Sequence, residues 1–237
     1  MPLKTCGKMN KADVLSYVAA MKERLAGTPD FDIETKTDDA SDTISVWSRT
    51  YPNTQATFDL GRNRVTASSG SRPDAGALNE LLNNETLVGN ATYIIDGHFV
   101  IRTDDLGRPC RFRVSYNKTW SVLHSDRPTQ PLGKGAEDGD QAGHVIAASL
   151  RGPHERGINI VPMPWQLNER WYRYQEVFLA SCLHDLEESA DEDWFLEVRI
   201  DVSYEDERPL RPDMIRLEAD VDNGKGYYAR LSTECIY

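Results

Sequence analysis

In the stretch DQAGHVIAASLRGPHERGINIVPMPWQLNERWYRYQEVF, residues 140–178, His144, Asn159, Asn168 and Glu176 are the side chains whose types and spacing together could do chemistry. His144 offers an imidazole, which near neutral pH can take a proton from water. Asn159 and Asn168 offer amide oxygens and Glu176 a carboxylate, the donor types that hard divalent cations prefer. Asn168, Tyr172 and Glu176 stand at i, i+4, i+8. On a helix that spacing sets the two polar groups two turns apart on roughly one side.

The elements that must position these groups read as strand, turn, strand, helix. HVIAASL (144–150) predicts a strand opening on His144, RGPHERG a polar turn, and INIVP (158–162) a second strand holding Asn159. A helix is expected from about Pro164 to Leu186, with Leu167, Trp171, Tyr174, Phe178 and Leu183 among its apolar positions. Residues 124–143, rich in Gly, Pro, Asp and Ser, read as a long loop. Upstream, TYIIDGHFVIRTDD reads as a hairpin turning at Asp96-Gly97, and RFRVSY as a further strand. Downstream, WFLEVRIDVSY, MIRLEADV and YYARLST supply three more.

The first 88 residues read as a separate small α+β module. It has a helix over about 9–26 capped by Asn10, strands around Thr43–Arg49, Ala56–Leu60 and Arg64–Ser68, and a short helix at 74–84. No chemistry is assigned to it. Residues 89–237 form the domain expected to carry the site.

Asp140 to His144, then Asn159-Ile160-Val161-Pro162, then Leu167-Asn168, then Glu176, resemble the DNA/RNA non-specific endonuclease family. That family carries a D-x-G-H type motif, N-x-x-P, and a helix opening L-N with a Glu two turns on. The steps of nine residues from Asn159 to Asn168 and eight from Asn168 to Glu176 match its spacing. GHVIAASLRGP, NIVP and QLN are similar to the branch found as C-terminal domains of bacterial polymorphic toxins. That branch carries T-D-x-x-G-R upstream, here Thr103 to Arg108, and a late Y…RP element, here Tyr204 with Arg208-Pro209 or Arg211-Pro212.

The resemblance implies an α+β fold, a ββα-metal core on an antiparallel sheet behind the N-terminal module. It implies a metal-dependent endonuclease acting on DNA, with RNA as a further candidate substrate, and with little sequence preference. His144 is then the general base and Asn168 the direct ligand of Mg²⁺ or Mn²⁺. Glu176 reaches metal-bound water, and Asn159 positions the metal site and the His-bearing loop. Arg108 and Arg127 are the candidates for stabilising charge on the phosphate. A delivered antibacterial toxin with a cognate immunity protein is the role implied. The pattern departs from the family in one place. The position three before the histidine is Gln141, with Asp140 one residue further back.

Composition bounds these readings. The chain has 237 residues and a net charge of −11, which by itself argues against binding a polyanion. The charge is uneven: residues 101–176 hold 11 Lys+Arg against 9 Asp+Glu, a net +2, and residues 185–207 hold 11 Asp+Glu and one Arg, a net −10. The acidic run reads as a solvated face, with docking of a basic inhibitor as the sharper expectation. No apolar run approaches the roughly 20 residues of a membrane span. The basic start lacks an apolar core, so no Sec signal is expected, and export by a specialised system into a target-cell cytoplasm is. Cys6, Cys110, Cys182 and Cys235 have no zinc-ligand spacing.

Each site residue also has a plain structural reading. Asn168 fits a helix N-cap, Glu176 a surface pair with Arg173 or Arg170, and His144 a core histidine. The competing function is a non-catalytic protein-binding module that keeps the ββα fold.

Overall fold

The computed structural model describes residues 7–26, 28, 32–68, 78, 81–82, 87–118, 136–153, 156–189, 193–205, 210–225 and 228–236. The fold is α+β, and the chain divides into two compact units, Met1–Cys110 and Arg111–Tyr237.

In the first unit, helix α1 (Lys11–Leu25) starts at Asn10, whose side chain accepts a hydrogen bond from the Ala12 N–H at 2.9 Å. That cap satisfies one of the N–H groups that a helix start leaves without a partner. Its apolar residues Val14, Tyr17, Val18, Met21 and Leu25 recur at helical spacing and are all buried. Strands β1 (Ile33–Asp38), β2 (Thr43–Ser48), β3 (Gln55–Asp59) and β4 (Arg64–Ser68) pair antiparallel in sequence order. β1 is mostly exposed, so its sequence shows no apolar alternation by which to read it as a strand. β5 (Thr92–Ile95) joins β4 in parallel and pairs antiparallel with β6 (Phe99–Thr103). Asp96 and Gly97, at φ 49° and 76°, make the expected tight turn between β5 and β6. Leu78, Leu81 and Leu82 are helical and buried, within the short helix expected there.

The second unit holds an antiparallel sheet in the order β7 (Pro109–Asn117), β10 (Phe195–Ser203), β11 (Met214–Asp222), β12 (Tyr228–Ile236). Its apolar face is built by strict alternation: Phe112, Val114 and Tyr116, then Leu196, Val198, Ile200 and Val202, then Ile215, Leu217 and Ala219. The opposite face carries cross-strand ion pairs such as Arg111–Asp201 at 2.6 Å and Arg113–Glu197. Part of the acidic run is therefore neutralised within the sheet.

Between β7 and β10 the chain forms a two-stranded hairpin and a helix. β8 (Asp140–His144) pairs antiparallel with β9 (Ile160–Pro164), with Asp140 opposite Pro164 and His144 opposite Ile160. A 3-10 turn (Ala148–Leu150) and the one-turn helix α2 (Arg156–Asn159) lie between the strands. After β9 comes a π-helical turn, Leu167–Tyr172, which runs into α3 (Arg173–Glu188). Leu167, Tyr172, Leu179, Leu183 and Leu186 are buried. Tyr174 and Phe178, expected on the apolar face, are instead 76% and 53% exposed. The wide turn shifts the phase of the buried stripe, so residues placed by α-helical spacing from Leu167 miss it. The Trp171 side chain lies outside the described residues.

Candidate functional site

β8 is anchored at its first residue. The Arg211 guanidinium donates to both carboxylate oxygens of Asp140, Nε to Oδ2 at 2.8 Å and Nη2 to Oδ1 at 3.2 Å. The backbone N–H of Glu137 adds a third bond to Oδ2 at 2.9 Å. The two side chains are only 3% and 10% exposed, so the pair is a buried two-point clamp. Asp140 therefore holds the strand, and the late Arg-Pro element that serves it is Arg211-Pro212. Arg208-Pro209 lies outside the described residues.

Gln141 stands next along the strand, opposite Met163. Its Oε1 accepts a hydrogen bond from Asn168 Nδ2 at 2.9 Å. Gly143, the residue before the histidine, packs where a Cβ would lie 2.4 Å from the Met163 sulfur.

His144 ends β8 instead of opening a strand. The chain leaves the ladder there because Asn159 takes over the next backbone groups. Asn159 closes α2, one residue before β9, rather than sitting within the second strand. Its side chain is fully buried. Oδ1 accepts from the Ile146 N–H at 2.7 Å, and Nδ2 donates to the carbonyls of Ile146 at 2.8 Å and Pro153 at 2.7 Å. The Val145 N–H bonds the Asn159 carbonyl at 2.8 Å. One amide thus closes the loop 145–153 directly after His144 and satisfies backbone groups that burial would otherwise leave unpaired. Gly152 makes this closure possible: a Cβ there would lie 1.9 Å from the Ile146 carbonyl oxygen. Arg151, at φ 61°, carries the chain through the reversal and forms an ion pair with Glu187 of α3.

Asn168 lies within the π turn and is not a helix N-cap. In a straight α-helix, eight residues overshoot two turns by about 80°, so Asn168 and Glu176 would diverge. The wide turn takes up that excess and brings both back toward one side. Tyr172, at the centre of the ladder, is fully buried, and its hydroxyl donates to the carbonyl of Val145. The helix is thereby tied to the residue after His144.

Glu176 is half-buried, and burial raises its carboxyl from an ordinary 4.5 to about 7; Arg173 pulls the other way and Glu169 adds to the rise. Arg173 forms its ion pair with Glu169, Nη1 to Oε2 at 3.1 Å, and not with Glu176. Among the described residues Asn168 Oδ1 accepts no hydrogen bond. An open amide oxygen and a carboxyl short of positive charge fit a hard divalent cation that keeps most of its water. Among the described residues no three His, Cys, Asp or Glu gather at one point, so the protein ligand set on offer is this sparse one.

Arg108 belongs to the first unit. The T-D-x-x-G-R element forms a tight turn in which Asp104 accepts from the N–H groups of Leu106 and Arg108 and from Arg108 Nε at 2.6 Å. Gly107, at φ 79°, approaches the Leu87 carbonyl so closely that a Cβ would lie 2.0 Å from its oxygen. The Arg108 side chain is 7% exposed. Arg127 lies outside the described residues. Gly152 was not singled out by the sequence, while Gln141 was read only as a departure from the family pattern and Arg211 only as half of one Arg-Pro element, neither with a task of its own. The one signal for Tyr172 was its place between Asn168 and Glu176.

Strand, pinned loop, strand and helix, bearing an imidazole, an amide and a raised carboxyl, define a ββα-metal unit. The chain belongs to the DNA/RNA non-specific endonuclease family, which it matches over residues 89–223, more than half of its length. Among solved structures it is similar to NucA from Streptococcus agalactiae with no metal bound, at 18% identity, 54% coverage of this chain and a TM-score of 0.36. It is also similar to NucA from the same organism with magnesium ion bound, at 14% identity, 54% coverage and a TM-score of 0.34. Both matches span 66% of the NucA chain, short of two thirds. Curated proteins gave no match.

Proposed function

We propose that this chain is a divalent-metal-dependent endonuclease that hydrolyses phosphodiester bonds of DNA, with RNA as a further candidate substrate, and with little sequence preference. Family membership supports the class. The observation that carries the reading is Asn168, whose Nδ2 is held by Gln141 while Oδ1 accepts no hydrogen bond among the described residues. Asn168 would hold Mg²⁺ or Mn²⁺ directly, with Glu176 accepting hydrogen bonds from its water. When bound, the cation neutralises phosphate charge and stabilises the leaving 3′-oxygen. His144 takes the proton of the attacking water. Among the described residues the Asn159 side chain hydrogen-bonds only backbone groups, and it is a positioning residue, holding the loop that follows His144. Arg127 or Arg108 supplies the cationic charge on the phosphate.

The test is digestion of plasmid DNA and total RNA with Mg²⁺ or EDTA, beside His144→Ala. Cleavage is expected to require metal and to fall about 10²–10⁴-fold in the variant. Cleavage at the wild-type rate by His144→Ala removes the base assignment, and no cleavage with any metal favours a binding module on this fold.

For the biological role we propose a delivered antibacterial toxin held in check by an immunity protein, on the resemblance to polymorphic-toxin domains. The residue 185–207 run supports a basic partner, less the acids already paired with Arg111, Arg113 and Arg151. Failure of the neighbouring gene product to bind the chain or to block cleavage would remove it. The N-terminal 1–88 and nuclease 89–237 division is proposed on the same footing.

A further inference from the structure

We propose that Gln141 is a positioning residue for the metal centre: it selects which end of the Asn168 amide is presented to the cation. The inference rests on the reading of Asn168 as the metal's direct ligand. The two ends of an asparagine amide are nearly the same in shape, but only the oxygen ligates a hard cation. A partner that accepts from Nδ2 settles the choice, and Gln141 Oε1 does so at 2.9 Å.

Gln141 is a fixed reference point for this choice. Its own backbone is paired with Met163. The preceding residue is locked by the buried Asp140–Arg211 clamp. Two residues on, Gly143 lies tight against the Met163 side chain. Asn168, by contrast, stands in the π turn, a widened stretch of helix. The strand therefore orients the amide of the helix.

The residue type adds a consequence. A glutamine amide can itself turn over, so that its Nε2 donates to Asn168 Oδ1 and withdraws the ligand oxygen. A glutamate in the same place is an acceptor only and cannot do so. Gln141 thus gives a weaker, reversible selection, and this chain binds its cation less tightly than its Gln141→Glu variant does.

The experiment is calorimetric titration of Mn²⁺ into the metal-free full chain and three variants, with melting in EDTA as the fold control. Gln141→Met, apolar and of similar length, is expected to weaken binding about tenfold with little change in melting. Gln141→Glu is expected to tighten it about threefold or more. Because Gln141→Met changes no charge, its loss separates amide orientation from added electrostatic attraction. Wild-type affinity in Gln141→Met, or weakened or unchanged affinity in Gln141→Glu, overturns the proposal. If Gln141→Met does not fold, Gln141→Leu, equally uncharged and without an acceptor, takes its place with the same expected loss. Asn168→Ala distinguishes the underlying reading: wild-type Mn²⁺ affinity there removes Asn168 as ligand, whereas lost binding there with wild-type affinity in Gln141→Met removes only the role of Gln141.

Discussion

The hydroxyl of Tyr172 donates to the carbonyl of Val145, the residue that follows His144. Tyr172 is fully buried, so Val145 has no water to replace that bond. Tyr172→Phe is expected to cost about 1–3 kcal/mol of unfolding free energy by leaving a buried carbonyl unsatisfied. It is also expected to lower kcat more than it raises KM, since it loosens the helix from the histidine-bearing strand. Urea unfolding together with steady-state digestion checks both, and an unchanged kcat would show that this tether serves folding alone.

Asn159 carries a heavier structural charge. Its side chain makes three bonds to buried backbone around the loop 145–153. Asn159→Ala strands an N–H and two carbonyls at once and is expected to destabilise by about 3 kcal/mol or more. Asn159→Asp keeps the acceptor for Ile146 but sets a carboxylate against two carbonyl oxygens, and should be at least as damaging. Melting temperatures of both variants, taken in EDTA, test this, and a loss under 1 °C in each would contradict the clamp.

Glu176 makes stability depend on pH in a direction opposite to ordinary carboxylates. Its folded value, about 7, lies above its ordinary 4.5, so the folded state holds the proton more tightly than the unfolded chain. Its contribution is full below about 4.5 and is lost as pH rises through about 7. Glu176→Gln is expected to melt less pH-dependently than wild type between those values in EDTA. The difference between the two proteins is the readout, because other groups titrate in the same window. A divalent cation favours the ionised carboxylate and should flatten the wild-type profile. Parallel profiles for the two proteins in EDTA would refute the assignment.

The two candidate arginines predict different losses. Arg108 is buried against Asp104, so Arg108→Ala removes the ion pair while the Leu106 and Arg108 N–H groups still hold the carboxylate, and it is expected to lower stability by about 1–3 kcal/mol. Arg127→Ala is expected to lower kcat about 10²-fold with melting unchanged, if it is the arginine that meets the phosphate. Melting and kcat measured on both variants assign the role, and a fall in kcat for Arg108→Ala at unchanged stability would transfer it to Arg108.

Much of the sheet was legible because its strands are half-buried: β10 and β11 alternate, and alternation is what a sequence displays most openly. α1 announced itself through Asn10 and its apolar stripe. The chemistry-bearing residues were legible as types at a spacing, yet two of their positions were misjudged. HVIAASL is apolar enough for a strand, but Val145 and Ile146 are buried in a loop whose backbone is satisfied by one side chain. A period-based reading has no term for that. Asn159 was displaced for the same reason, since a residue that serves a loop was assigned to the strand beside it. The task of Asp140 could not be read because its partner, Arg211, is remote in sequence, and the pairing exists only once β10 and β11 have folded.

The π turn has a consequence for how this segment tolerates change in length. Such a turn is an α-helix carrying one residue more than its neighbours need. Removing a single residue between Asn168 and Tyr172 would let the segment relax to regular winding. Seven α-helical steps of about 100° come to about 700°, within about 20° of two full turns, so Asn168 would keep its side relative to Glu176. Substitutions there are local events, whereas a second deletion would have no spare residue to draw on and would rotate everything upstream by about 100°. The register between hairpin and helix is thus stored as a count of residues, which evolution can edit only in whole steps.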